Sequence, residues 1–228
     1  MDNIRIITTE DGSHSLYRED LKETYHSFHG ARQESMHVFI EMGLQYYLDT
    51  VRAADVNASD RPLRILEVGF GTGLNAYLAA LFAEQHQTAI HFETLETIPL
   101  SADVYKALNY AEGEEEALFA QLHDCEWNNP QVITQFFTLL KHEKPLQEFQ
   151  SSAPFDLIFF DAFAPSKQAE LWGKTIMAQA YELTSAKGVL TTYCAKGQLK
   201  RDLRDVGYEV ATLPGAPGKK EMVRAQKG

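Results

Sequence analysis

Apolar positions along the chain change their spacing near residue 63. Upstream, Val38, Phe39, Met42, Leu44, Tyr46 and Leu48 recur at intervals that predict a helix packed against a larger body, within an otherwise polar and mixed stretch. Downstream, short apolar runs alternate with helical spacing. Arg64–Val68, Ile90–Leu95, Phe136–Leu140, Phe155–Phe160 and Val189–Tyr193 predict strands, while Leu74, Tyr77, Leu78, Leu81 and Phe82 predict a helix, and Pro99 sits where another could begin. Strands separated by crossover helices imply a parallel sheet covered on both faces. The last two runs, Tyr208–Leu213 and Glu221–Ala225, are joined by "PGAPGKK", which suits a hairpin and is too short for a crossover. The expected architecture is an α/β, mostly parallel seven-stranded sheet with an antiparallel last strand. Residues 1–60 have too few apolar side chains for a core of their own and read as an appendage, with "RAADVNASDRP" as a connection to a main domain at 61–228. The protein is thus expected to be a single-domain protein overall.

Composition narrows the class. With 228 residues, 44% hydrophobic and 23% charged, the chain can bury one substantial core. No apolar stretch reaches the roughly 18 residues of a membrane helix, and "MDNIRIITTEDGS" lacks the basic and apolar regions of a secretory signal, so a cytoplasmic protein is expected. Cys125 and Cys194 are far apart and form no CxxC pair, which argues against a disulfide framework or a metal site. "EGEEE", Glu112–Glu116, reads as a solvated acidic helix or loop. The net charge of −11 is unevenly spread: residues 187–228 hold nine Lys and Arg against four Asp and Glu.

"RILEVGFGTGLNAYLAALFA" reads as strand, glycine turn and helix. Gly69, Gly71 and Gly73 permit positive φ and close backbone approach to a ligand. Their G-x-G-x-G spacing departs from the dinucleotide fingerprint, whose third glycine falls where this chain has Leu74, and no P-loop lysine follows. A nicotinamide or flavin dinucleotide is therefore disfavoured. Glu96 lies 23 residues past Gly73, where the next strand of such a fold ends and a carboxylate can accept bonds from ribose hydroxyls; Glu143 occupies the corresponding place after the third strand. The plainer readings are an ordinary acid at a helix N-terminus for Glu96 and a surface charge for Glu143. Glu67, inside the first strand, could reach the ligand's amino-acid end or be a satisfied internal acid. Together the glycine turn, Glu96 and Glu143 resemble the S-adenosylmethionine site of Rossmann-like class I methyltransferases.

"FFDAFAPSKQAELW" brings one carboxylate, Asp161, out of a buried apolar run. At that strand end it would stand beside the ligand crevice. With Phe163 and Pro165 following, it is similar to the Asp/Asn-x-Pro-aromatic loops with which amino-methyltransferases hold an amine. A carboxylate there either takes the amine proton itself or orients the lone pair while the proton passes to solvent, the favoured expectation; the competing reading is a cap for a helix over 168–181.

"YHSFHGARQESMHVFI", "LEVGFGTGLNA", "DAFAPSKQAELW", "TTYCAKGQLKRDLRDVGY" and "PGAPGKKEM" together resemble the tRNA 5-methylaminomethyl-2-thiouridine methyltransferases: the methyltransferase portion of MnmC and free-standing MnmD. The resemblance covers nearly the whole chain. It implies S-adenosylmethionine-dependent N-methylation of the 5-aminomethyl group of wobble (2-thio)uridine in tRNA, with no flavin, on an intermediate supplied by upstream tRNA-modifying enzymes acting in sequence. It implies Asp161 facing the amine, and Gly69, Gly71, Gly73 and Glu96 in the cofactor site, beside which Glu67 and Glu143 stay as candidates from their positions alone. Lys220 stands where relatives are expected to carry arginine, leaving a less bidentate phosphate contact. The late basic excess then reads as a phosphate rim of Lys196, Lys200, Arg204, Lys219 and Lys220, against the plainer reading of a solvated helix face. Tyr25, Phe163 and Trp172 are candidates to stack a splayed base, each also a candidate core residue. "YHSFHGARQES" is expected to lie over the site and contribute Tyr25 or Glu34. Two competing functions remain on the same scaffold: a small-amine methyl- or aminopropyltransferase, and a non-catalytic RNA-binding module.

Overall fold

A computed structural model describes residues 3–54 and 61–228. The middle of the expected connection, 55–60, lies outside the described residues. The chain begins with a three-stranded antiparallel sheet, β1 (Ile4–Thr8), β2 (His14–Arg18) and β3 (Glu23–Thr24), where the sequence suggested no strand. These strands are short and half-exposed, so they carry no apolar run. Helix α1 (Ala31–Ser35) follows and continues through wide, π-type turns over Met36–Gln45 and Tyr47–Arg52. Val38, Phe39, Ile40 and Leu44 are buried, and Gly43 lets this helix settle onto the main sheet: a Cβ there would lie 3.2 Å from Thr191 Oγ1 and 3.4 Å from the Phe159 ring.

The main sheet contains β4 (Leu63–Val68), β5 (Ile90–Glu96), β6 (Gln131–Val132), β7 (Phe137–Glu143), β8 (Phe155–Phe160), β9 (Thr184–Thr192), β10 (Tyr208–Pro214) and β11 (Glu221–Lys227). Their spatial order is β10-β11-β9-β8-β4-β5-β7-β6. Strands β7, β5, β4, β8 and β9 are parallel, whereas β11 pairs antiparallel with both β9 and β10. The seven expected strands, the last of them reversed, are therefore present, with a two-residue edge strand, β6, added. Helices α2 (Leu74–His86), α3 (Ala102–Tyr105), α4 (Glu115–Asp124), α5 (Lys174–Leu183) and α6 (Gly197–Asp205) complete the chain.

Alternation along the strands sends side chains to two cores. Ile65, Phe92, Leu139, Leu157 and Phe159 pack with α2 and the N-terminal helix, while Leu66, Leu95, Ile158, Phe160 and Leu190 pack with α5 and α6. Strand β8 is buried at all six positions, as a central parallel strand covered on both faces must be. Because β4, β5 and β8 run parallel and adjacent, their C-terminal ends form one rim, where the glycine turn, Glu96 and Asp161 meet.

Candidate active site

The turn after β4 is shaped by three glycines in the left-handed region, Gly69 at φ 99°, Gly71 at 51° and Gly73 at 75°. Two of them also lie too close to neighbours for a side chain: a Cβ on Gly69 would sit 2.7 Å from the Asp161 carbonyl oxygen, and one on Gly73 2.7 Å from His123 Nε2. The turn is pinned to β5 by Gly69 and Phe70 N–H groups donating to the Leu95 carbonyl. Glu96, the last residue of β5, accepts from the Gly71 N–H at 2.9 Å through one oxygen and from Thr97 and Ile98 N–H through the other.

These elements border a cavity of about 340 Å³. Gly69, Gly71, Glu96, Asp161 and Phe163 line it, and so do Tyr25 and Arg18 from the N-terminal segment. Leu95, Ile98 and Leu146 supply apolar wall. Burial and the nearby Glu96 charge push the Tyr25 phenol up to about 12, so it is a neutral donor at neutral pH. Its ring meets Phe163 edge-on, with centroids 4.9 Å apart. His26, buried beside the turn, is pushed down to about 4 by burial and stays neutral.

Asp161 follows β8 directly and continues its ladder through Asp161 N–H to the Val68 carbonyl. Its carboxylate accepts from Asn75 Nδ2 at 2.8 Å. Burial, then the Glu34 carboxylate, raises its pKa to about 7, against smaller opposite pulls from Asn75 and Lys219. It caps no helix: α5 starts after Gly173, twelve positions further along the chain, so the capping reading falls. Phe163 is held by Trp172 Nε1–H donating to its carbonyl at 2.7 Å. Trp172 is itself buried in the second core and offers no stacking face.

The other candidates divide. Glu67 does not face the cavity; it is fully buried, accepts from Thr94 at 2.6 Å, and is pushed well above the carboxylate range by burial. Glu143 is exposed beside Glu96 at the end of the neighbouring strand and does not line the cavity, and neither does Pro165. Lys196, at the start of α6, and Arg204, near its end, are exposed, but Lys200 pairs with Glu221 at 3.1 Å. Lys220 is exposed on the β10–β11 loop. Lys219, expected on the phosphate rim, instead turns inward and pairs with buried Glu34. Sequence reasoning missed Arg18, His26, Asn75 and Tyr193. Only Asn75 had a local signal, its place in the first turn of the helix after the glycines. Among the described residues no cluster of His, Cys, Asp and Glu is arranged to hold a metal ion, and no helix is long and apolar enough to cross a membrane.

Comparison with known proteins adds a family to this geometry. A family described as S-adenosyl-L-methionine-dependent methyltransferase matches residues 129–228. The tRNA 5-methylaminomethyl-2-thiouridine biosynthesis bifunctional protein MnmC of Pseudoalteromonas atlantica is 32% identical over 178 residues, 70% of this chain and 25% of that protein. The MnmC of Pseudomonas fluorescens strain Pf-5 is 31% identical over 217 residues, 90% of this chain and 32% of that protein. The chain belongs to the MnmC-type methyltransferases. It spans about a quarter to a third of the length of these curated relatives. Among solved structures, MNMC2 from Aquifex aeolicus superposes with a TM-score of 0.76 at 22% identity, over 97% of this chain and 69% of that one. Spermidine synthase from Thermotoga maritima superposes with a TM-score of 0.56 at 13% identity, over 100% of this chain and 74% of that one. At these identities both likenesses speak for the fold.

The rim fits the S-adenosylmethionine that an MnmC-type methyltransferase uses. A turn of positive-φ glycines allows close backbone approach, a carboxylate at the next strand end can accept from hydroxyls, and apolar side chains offer a face for a flat ring. Glu96 already accepts N–H bonds on both oxygens, which holds its carboxylate at the cavity edge.

Proposed function

We propose that this chain transfers a methyl group from S-adenosylmethionine to the 5-aminomethyl group of wobble (2-thio)uridine in tRNA, giving 5-methylaminomethyl-(2-thio)uridine. The observation that carries the reading is Asp161: one carboxylate at the end of β8, in the same cavity as the glycine turn and Glu96, with the half-buried Phe163 ring beside it. The printed names of the MnmC relatives supply the substrate class.

The bound cofactor would supply an electrophilic methyl, with Gly69, Gly71, Gly73 and Glu96 holding it. The chain's own residues prepare the nucleophile. An alkylamine has a reference pKa of about 10.4 and arrives as an ammonium without a lone pair. An ordinary Asp, near 3.8, is a poor proton acceptor for it; raised to about 7, Asp161 comes within roughly 3 units. Asp161 can thus take the proton itself, the alternative that the sequence left beside orientation. Its carboxyl then remains in place to direct the amine, and alignment is what a direct displacement chiefly requires. Tyr25 and Phe163 would flank the base, and the exposed Lys196, Arg204 and Lys220 would meet phosphates.

We further propose that residues 1–60 are an appendage packed on a catalytic domain at 61–228, and that the protein works in the cytoplasm after enzymes that install the aminomethyl group. The reaction as written needs no flavin. The test is mass analysis of wobble nucleosides after incubating purified protein and S-adenosylmethionine with tRNA carrying 5-aminomethyl-2-thiouridine. A gain of one methyl on that nucleoside is expected. No gain from protein shown to bind the cofactor would sink the reading and favour a small-amine substrate.

A further inference from the structure

Glu34 and Lys219 form an ion pair between residues 185 positions apart in the chain. Glu34 belongs to α1 and is only 5% exposed; Lys219 belongs to the loop joining β10 and β11. The second oxygen of Glu34 accepts the Ser27 N–H at 2.6 Å, which fixes the carboxylate. The Lys219 ammonium also lies 4.0 Å from the centre of the Tyr193 ring, and the Tyr193 hydroxyl donates to the carbonyl of Ala162 at 2.8 Å, one residue after Asp161. A pair of opposite charges, Glu34 buried and Lys219 half-buried, is therefore linked through Tyr193 to the backbone next to Asp161. Such a pair is a weak source of stability, because desolvation offsets most of its attraction. Its placement calls for another role.

We propose that the Glu34–Lys219 pair sets the charge state of Asp161, the Glu34 carboxylate holding a proton on it and the Lys219 ammonium drawing the proton off. The catalytic meaning of this balance rests on the amine-methylating reading above; the balance itself does not. Asp161 is faced by Glu67 from β4, Glu34 from α1, Tyr193 after β9, Lys219 from the hairpin loop and the uncharged Asn75 amide from α2. Burial pushes Glu67 well above the carboxylate range and Tyr193 well above the usual phenol range, and Glu34 and Lys219 are the charges that act on Asp161. Glu34 and Lys219 are positioning residues here, acting through Asp161.

The pair gives a test with a sign that structural damage cannot imitate. Carbon-13 carboxyl NMR would follow the titration of Asp161 in the full-length protein alone, its resonance assigned by loss in Asp161→Asn. Glu34→Gln leaves the ammonium uncompensated and should lower the Asp161 midpoint by about one pH unit; Lys219→Met leaves the carboxylate uncompensated and should raise it by about as much. The double variant should return toward the parent. Shifts of the same sign, or none, would overturn the proposal. Should Glu34→Gln not fold, Lys219→Met against the charge-keeping Lys219→Arg decides it alone: raised for Met and unmoved for Arg supports it, unmoved for both removes it. Glu34→Gln against Glu34→Asp serves the same way if Lys219→Met does not fold. The acid limb of kcat/KM against pH for methylation of aminomethylated tRNA should follow the NMR midpoints. Opposite NMR shifts without any methyl transfer would support the charge balance and reject only the proposed reaction.

Discussion

The two halves of the cavity are built differently. One half, the glycine turn, Glu96 and Asp161, comes from the ends of three adjacent parallel strands. Each of its residues follows directly from a strand that the apolar pattern reveals. The other half, Arg18 and Tyr25, comes from the N-terminal segment, which the Glu34–Lys219 pair, outside the cavity lining, ties to the last hairpin across nearly the whole length of the chain. The first half holds backbone shape and one carboxylate. The second holds the charges and rings that decide how that carboxylate behaves. Parallel topology alone therefore makes a binding rim, and the added segments convert it into a site with a tuned acid.

The largest effect expected belongs to the first half. Asp161→Ala should lower methyl transfer by roughly 10²–10⁴-fold, or about 3–5 kcal/mol of barrier, while cofactor affinity stays close to the parent value. Kinetics beside calorimetric titration with S-adenosylmethionine would separate the two. Equal loss of both would place Asp161 with the cofactor-holding residues.

A second effect tests whether the long-range half strains the first. The folded pKa of Asp161 is raised from 3.8 to about 7. A raised acid contributes nothing unfavourable below pH 4, then costs increasing stability as pH climbs toward 7, beyond which the cost is constant. Asp161→Asn removes that cost. Its denaturant stability should therefore exceed the parent's by about 2–3 kcal/mol above pH 7, at roughly 1.4 kcal/mol per unit and discounted for partial exposure, and match it near pH 4. A gap that does not vary with pH would contradict the charge argument.

The smallest effect belongs to the outer surface. Lys196→Ala with Arg204→Ala should weaken tRNA binding mainly at low salt and reduce the slope of log K against log salt by about two, one for each lost phosphate contact. An unchanged slope would take α6 out of the RNA interface.

Strand β8 and the glycine turn show why much of the framework could be read in advance. Five of the six buried β8 positions are apolar, Asp156 being the exception, and positive φ favours glycine, so both leave marks within a few residues. The small sheet β1–β3 left no such mark, since its half-exposed strands need no apolar run. Lys219 shows the limit for side chains. In sequence it is one of two adjacent lysines in a glycine-flanked loop, yet Lys220 faces solvent and Lys219 pairs with a buried acid. Glu143 shows the same limit in reverse, reaching the strand end expected of it but standing exposed outside the cavity.

By itself, the sequence determined the parallel sheet, its reversed last strand, the glycine turn and the delivery of Asp161 to the rim. Spacing and backbone sterics act over a few residues, and the chain records them locally. The tertiary structure alone decided which acids face the cavity, which lysine turns inward, and how strongly Asp161 holds its proton. Burial and charge proximity depend on what packs against a residue from far along the chain, and no local pattern of side chains records that.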